Sequence, residues 1–172
     1  MRYSFSTLVL CLSLCFLSFS CAQEDGKLRG SIEQRFSLAF DKVEVINFPG
    51  LGMQILYTAE IPNSNQRAKI FDLFVDTSGP ATIGEGIPID LVNNTLLSRF
   101  NLVENQAGDL VDDGLDFPAI DSGLLEFQTF SLLEGDQVTG TIDIVFFNGD
   151  TLLADFDVPL TLGEATSAPS TP

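Results

Sequence analysis

Apolar and polar residues alternate with a period of two along much of the chain beyond residue 35, the spacing of a strand with one face buried. Phe36, Leu38 and Phe40 share one face of such a run, and Val43 and Val45 continue it after a shift of phase. Phe48-Pro49-Gly50-Leu51-Gly52 then reads as a turn. Met53, Ile55, Tyr57, Ala59 and Ile61 line the next strand against Gln54, Thr58 and Glu60, and Pro62-Asn63-Ser64-Asn65 bends the chain into a hairpin. Residues 70–75 alternate less cleanly and suit a strand covered on both faces. Ile87, Ile89 and Leu91 alternate with Pro88 and Asp90, and the proline, which has no amide proton to give, predicts an edge strand. Residues 96–103 make a further candidate strand, residues 105–122 a loop rich in acids and glycines, and residues 124–132 another strand.

The clearest local pattern comes last. Residues 138–147 alternate well, and Asn148-Gly149 is a preferred pair for a tight turn with positive φ. The chain returns with Leu152, Ala154, Phe156, Val158 and Leu160 on one face. Ile142, Ile144 and Phe146 are expected to join that face in the core, while Asp143, Asp155 and Asp157 face water. With turn signals every 8 to 15 residues or so and no helical period after the N-terminal segment, the expected fold class is all-β: an antiparallel β-sandwich or barrel of about seven or eight strands. Residues 31–162 form this one domain, preceded by a polar tether, residues 23–30. Residues 163–172 carry no apolar payload and are expected to be a disordered tail.

The N-terminal segment is of a different kind. Arg2 precedes a serine-diluted apolar stretch over residues 8–19. A bilayer core of about 30 Å needs roughly 20 apolar residues in a helix, so this stretch is short for a permanent span and has the length of a signal h-region. Residues 1–22 are read as a signal peptide, and the chain as exported. Ser20-Cys21-Ala22 places small residues at −3 and −1 for an ordinary signal peptidase, which would release a secreted or periplasmic protein starting at Gln23.

The same stretch has a second reading. Leu17-Ser18-Phe19-Ser20-Cys21 resembles a bacterial lipobox, with Ser18 and Phe19 departing from its usual residues. The terminal block, above all Val138-Thr139-Gly140-Thr141-Ile142-Asp143 followed by Phe156-Asp157-Val158-Pro159, resembles the closing hairpin of a group of small, largely uncharacterised bacterial envelope lipoproteins. In that group a Thr-Gly-Thr-Phe-Asp-like strand pairs with one ending in Phe-Asp-Ala-Pro; here Ile142 replaces the Phe and Asp155 stands where Gly is frequent. The hairpin resemblance covers about a quarter of the chain. It implies location and fold but no activity. What the lipobox resemblance implies is lipidation at Cys21, with a membrane as partner through the lipid anchor. Ala22, rather than Asp, after the cysteine implies outer-membrane sorting if the source is a Gram-negative bacterium.

Composition narrows the chemistry. Cys11, Cys15 and Cys21 are the only cysteines, all in or at the end of the export segment, and there is no histidine or tryptophan. The mature chain therefore has neither a disulfide framework nor the usual ligands for zinc, copper or haem. It also lacks the commonest general base. No Gly-x-Ser-x-Gly elbow, P-loop or dinucleotide fingerprint is present. Paired carboxylates could serve a glycosidase, but so acidic a chain forms such pairs by chance. An enzyme is not expected, and no cofactor is called for. The formal charge is −16, and after Arg99 there is no Lys or Arg while fourteen Asp and Glu residues follow. Such a surface repels phosphates, so nucleic acid is not expected as a partner. Asn93-Asn94-Thr95 is a glycosylation acceptor in a eukaryote and a turn in a bacterium.

One loop has candidate chemistry. Asp109, Asp112, Asp113 and Asp116 fall within eight residues together with Gly114. Calcium takes six to eight oxygens, and a glycine-bent loop can turn carboxylates and carbonyls inward, although the spacing is not that of an EF-hand. A solvated acidic turn fits the same residues. Three functions stay open: a lipid-anchored or secreted β-domain with a binding or structural role toward a protein or glycan, a calcium-dependent adhesion or glycan-binding module, and a carrier enclosing an apolar ligand.

Overall fold

A computed structural model describes residues 25–76, 83–93 and 95–164. Cys21, the expected signal segment before it and residues 165–172 of the expected tail lie outside the described residues. Within them the chain is all-β, as expected. Eleven strands and one 3-10 turn follow in the order β1 (Gly26–Arg29), the turn (Ser31–Gln34), β2 (Lys42–Phe48), β3 (Gly52–Glu60), β4 (Arg67–Asp76), β5 (Ile89–Asp90), β6 (Thr95–Phe100), β7 (Leu102–Glu104), β8 (Leu110–Asp112), β9 (Ile120–Thr129), β10 (Gln137–Phe146) and β11 (Thr151–Leu162).

Nine of the strands form one curled sheet in the order β5-β9-β10-β11-β2-β3-β4-β6, with β1 added to β11. The joint is β11, twelve residues long. One edge of it pairs with β10 throughout, from Thr151↔Val145 to Pro159↔Gln137. Its other edge is shared: residues 153–156 take β1, and residues 160–162 take β2. Because two strands leave the same edge of β11 at different heights, the sheet divides into two layers that close over a common core. The β2 pairing is parallel, a departure from the purely antiparallel sheet expected. Tyr57, Phe71, Phe127 and Phe146, all fully buried, fill the space between the layers. Tyr57 Oη donates to the Asp155 carbonyl at 2.6 Å and so ties β3 to β11. Burial, and next to it the charge of Asp155, push the Tyr57 hydroxyl well above the usual tyrosine range, which keeps it a donor at every physiological pH.

Several expectations are met in detail. Met53, Ile55 and Tyr57 are buried on β3, and β4 is covered on both faces through Phe71, Asp72 and Leu73. In the last hairpin Ile142, Ile144, Phe146, Ala154, Phe156 and Val158 all face the core. Its turn is wider than a two-residue one. The Gly149 amide bonds the Phe146 carbonyl at 2.8 Å and Phe146 bonds Asp150 at 2.9 Å, and only Gly149 has a positive φ, 83°. This is a three-residue loop with a bulge at glycine.

Other expectations need correcting. The polar tether of residues 23–30 is cut short, because Gly26–Arg29 enters the sheet as β1. Gly26 and Leu28 are buried there while Lys27 and Arg29 are exposed; a four-residue strand with two charges is too short to show a period. Phe36, Leu38 and Phe40 do alternate in burial with exposed Ser37 and Ala39, yet residues 36–40 belong to no strand. They plug the seam between the layers, Phe40 meeting Tyr57 edge to face at 4.9 Å. The loop expected over residues 105–122 contains β8, and β9 begins at Ile120. The count of eleven exceeds seven or eight because four of the strands have four residues or fewer.

Gly140 sits opposite Phe156 on β10, and a Cβ built there would fall 2.1 Å from Phe156 Cζ. The tip of the ring rests against bare backbone. Gly140→Ala is therefore expected to push the ring out of its place and lower stability by about 1–3 kcal/mol, the usual cost of overpacking. A urea midpoint equal to wild type would show that the ring can give way freely.

Candidate functional site: a clamped β-arm

Strand β6 alternates in the ordinary way, with Leu96, Ser98 and Phe100 exposed and Arg99 buried. The period of two thus sends a guanidinium into the core face, where the side chain is 1% exposed. A charge so placed needs a counter-ion and acceptors. Arg99 Nη1 donates to both carboxylate oxygens of Asp113, at 3.0 and 2.9 Å, and to the Leu115 carbonyl at 2.6 Å. The cation also lies 4.8 Å from the centre of the Phe36 ring, close enough for a cation–π contact.

Asp113 is held from every side. Its carboxylate accepts from Asn101 Nδ2 at 3.1 Å and from the Leu115 amide at 3.1 Å, and its own amide bonds the Asn101 carbonyl at 2.9 Å. Burial by itself raises the carboxyl's pKa, but the Leu115 amide, Asn101 and Arg99 outweigh it and hold Asp113 below the usual carboxylate range. Beneath the clamp Phe117 packs on Phe36 at 5.3 Å and stacks on Phe146 at 5.8 Å. Arg99 Nε and Nη2 are buried without an acceptor.

Between Arg99 and Asp113 the chain makes a two-stranded arm outside the main sheet, β7 paired with β8 from Leu102↔Asp112 to Glu104↔Leu110. Its turn is closed by Asn105, whose amide bonds the Asp109 carbonyl at 2.9 Å and whose side chain accepts from Ala107 and Asp109. Apart from half-buried Leu102 at its root, every residue of the two strands is exposed. Val103, Leu110 and Val111 are 41%, 39% and 41% exposed, and Leu115 at the foot of the arm 50%. A lone two-stranded ribbon is at best marginally stable in water. Here the clamp at its base supplies what the ribbon cannot.

The four acids singled out from sequence have separate fates. Asp113 is turned inward to Arg99. Asp112 is exposed and accepts from the Gly114 amide at 3.1 Å. Asp109 is exposed in the turn of the arm, and Asp116 is exposed beyond the clamp. The structure does not gather them: among the described residues no group of three or more Asp, Glu, His or Cys side chains is placed to hold a metal ion. Cys21, the lipidation candidate, lies outside the described residues.

Sequence reasoning did not single out Arg99 or the arm. One signal was available: Arg99 is the last cation of the chain, set on the inward phase of an alternating run, and every charged residue after it is acidic. Apolar residues exposed on both faces of a ribbon leave no comparable periodic trace. A second buried polar group is fully matched and structural, Asp72 accepting from Gln54 at 2.6 Å and from Lys69 at 2.8 Å. Comparison of the chain with protein-family models, with curated proteins and with solved structures finds no match.

Proposed function

We propose that this chain is an exported β-domain, anchored in a bacterial cell envelope through a lipid on Cys21, that acts as a binding module and presents the β7–β8 arm to a protein partner. The observation that carries the reading is the arm itself: apolar side chains held out in water on a ribbon whose base is pinned by a buried ion pair. Contiguous exposed apolar surface commonly marks an interaction site. The polar turn at its tip, Asn105-Gln106-Ala107-Gly108-Asp109, keeps the arm soluble between encounters. Aromatic filling of the space between the layers counts against carriage of an apolar ligand there.

The test separates location from binding. Mass spectrometry of the N-terminal peptide from a lipoprotein-competent host should find acylated Cys21; a soluble product starting at Gln23 would refute the anchor. For the arm, Val103→Ser with Val111→Ser should leave stability within about 0.5 kcal/mol per site, as exposed positions usually do. The same pair should abolish a specific envelope cross-link made from Gln106, at the arm's tip. Unchanged cross-linking would move the binding surface elsewhere.

A second reading has its own observation. Phe100, 42% exposed at the root of the arm, is an aromatic face beside the acidic loop, as a glycan-binding surface would offer. Retention on immobilised glycan, lost in Phe100→Ala and repeated with and without calcium, would favour it over a protein partner.

A further inference from the structure

The end of the domain where β11 finishes is apolar. A groove of about 530 Å³ opens there between the β2–β3 turn, at Pro49 and Gly50, and the β9–β10 loop, at Phe130 and Leu132, over Met53 and Leu162. Its rim is exposed: Leu162 by 41%, Leu132 by 56% and the adjacent Leu133 by 69%. Two consecutive leucines on a loop tip gain nothing from the fold, which has bonded the loop's backbone to β11 through Gly135 and Asp136 regardless.

The register of β1 relates this end to the N-terminus. Since β1 runs antiparallel to β11, its N-terminal end is the one toward Leu162, with the Asp25 carbonyl bonded to the Asp157 amide at 2.8 Å. Leu162 lies five residues beyond Asp157, about 17 Å along the strand. Residues 22–24 alone separate Cys21 from Asp25, a reach of about 14 Å at full extension. With β1 in the sheet, a lipid on Cys21 holds the domain so closely that one of its faces must lie against the bilayer.

We propose that this face is the leucine-rimmed end, with Leu132, Leu133 and Leu162 entering the headgroup–acyl boundary of the bilayer that carries the Cys21 lipid. The inference rests on the lipid-anchor reading. A single acyl chain binds marginally, and stable attachment takes a second signal; the leucines add to what the lipid supplies. Their charged neighbours, Glu134, Asp136 and Glu164, are acidic, which suits a zwitterionic surface and disfavours an anionic one. The arm leaves β6 at Phe100, beside Lys69 at the far end of β4 from Asp76, so the same seating turns it away from the membrane.

The mature chain has no thiol beyond Cys21, so an introduced cysteine carries a unique label. Full-length acylated protein with Leu133→Cys, labelled with an environment-sensitive dye, would be placed in phosphatidylcholine vesicles with and without nitroxide lipid. The label should shift to the blue and be quenched about twofold or more, the response expected at the acyl boundary. A label at Ala107→Cys, in the turn of the arm, should not respond. Leu132→Glu beside the label at 133 should remove most of the quenching while mass spectrometry still finds acylated Cys21. If Cys21 is acylated and the label at 133 stays in water, or both labels respond alike, the membrane-contact face is refuted and the anchor stands. If Cys21 is not acylated and the protein ignores the vesicles, the anchor falls and this inference with it.

Discussion

Replacing Asp113 by Ala is expected to lower the stability of the domain by about 3–5 kcal/mol, the usual cost of leaving a buried charge without its counter-ion. Arg99 would keep only the Leu115 carbonyl and the Phe36 ring, since its Nε and Nη2 already lack acceptors. Urea unfolding should show the loss as a lowered midpoint with an unchanged slope. The pH dependence has a definite sign. Asp113 is held below the ordinary carboxylate range, so its contribution is fully present above the unfolded value of about 3.9 and is lost as pH falls through the lowered folded value. The gap between wild type and Asp113→Ala should therefore close in acid. Arg99→Met combined with Asp113→Leu should recover much of the loss, because an apolar replacement of similar volume needs no counter-ion. A single variant within about 1 kcal/mol of wild type would mean that water already reaches the guanidinium and that the clamp is incidental.

Phe156→Ala should cost a similar amount, about 3–5 kcal/mol, by a different route. Phe156 is 2% exposed, meets Phe127 edge to face at 5.7 Å and covers the bare backbone of Gly140. Truncation leaves a cavity that the flat glycine cannot help to fill. For a domain of this size the melting temperature should fall by about 10 °C. The neighbouring carboxylate is the control. Asp155 contributes its carbonyl to Tyr57 whatever its side chain, so Asp155→Ala should stay within about 0.5 kcal/mol. Reversal of the two costs would mean a one-residue slip of register, which would turn every side chain of β11 to the opposite face.

That register was legible because β10 and β11 are long, alternate without interruption and are joined by Asn148-Gly149. The same holds for β3, where Met53, Ile55 and Tyr57 mark the inner face. Legibility failed where pattern and pairing come apart. Residues 36–40 alternate in burial because they cross a seam, not because they join a ladder, and periodicity cannot tell the two apart. In β1 the strand is only two periods long. In the arm both faces are wet, so no alternation was selected. The candidate site is least legible, since the partner of Asp113 lies fourteen residues upstream and in sequence is only the last cation before an acidic stretch.

The place of β11 after all of its strand partners in sequence has a consequence for how the fold closes. Its three neighbours, β1, β2 and β10, come from both ends of the sequence. Neither layer can dock on the other until the last described strand is in hand, so closure depends on contacts that span most of the described residues. Proteins dominated by such distant pairings fold slowly, in milliseconds to seconds, because the entropy of a large loop must be lost before any contact repays it. A nascent chain lacking its last forty residues would have no joint to lock. Under the export proposed above, with the chain threaded open across a membrane, that delay is an advantage: the fold completes itself only on the far side.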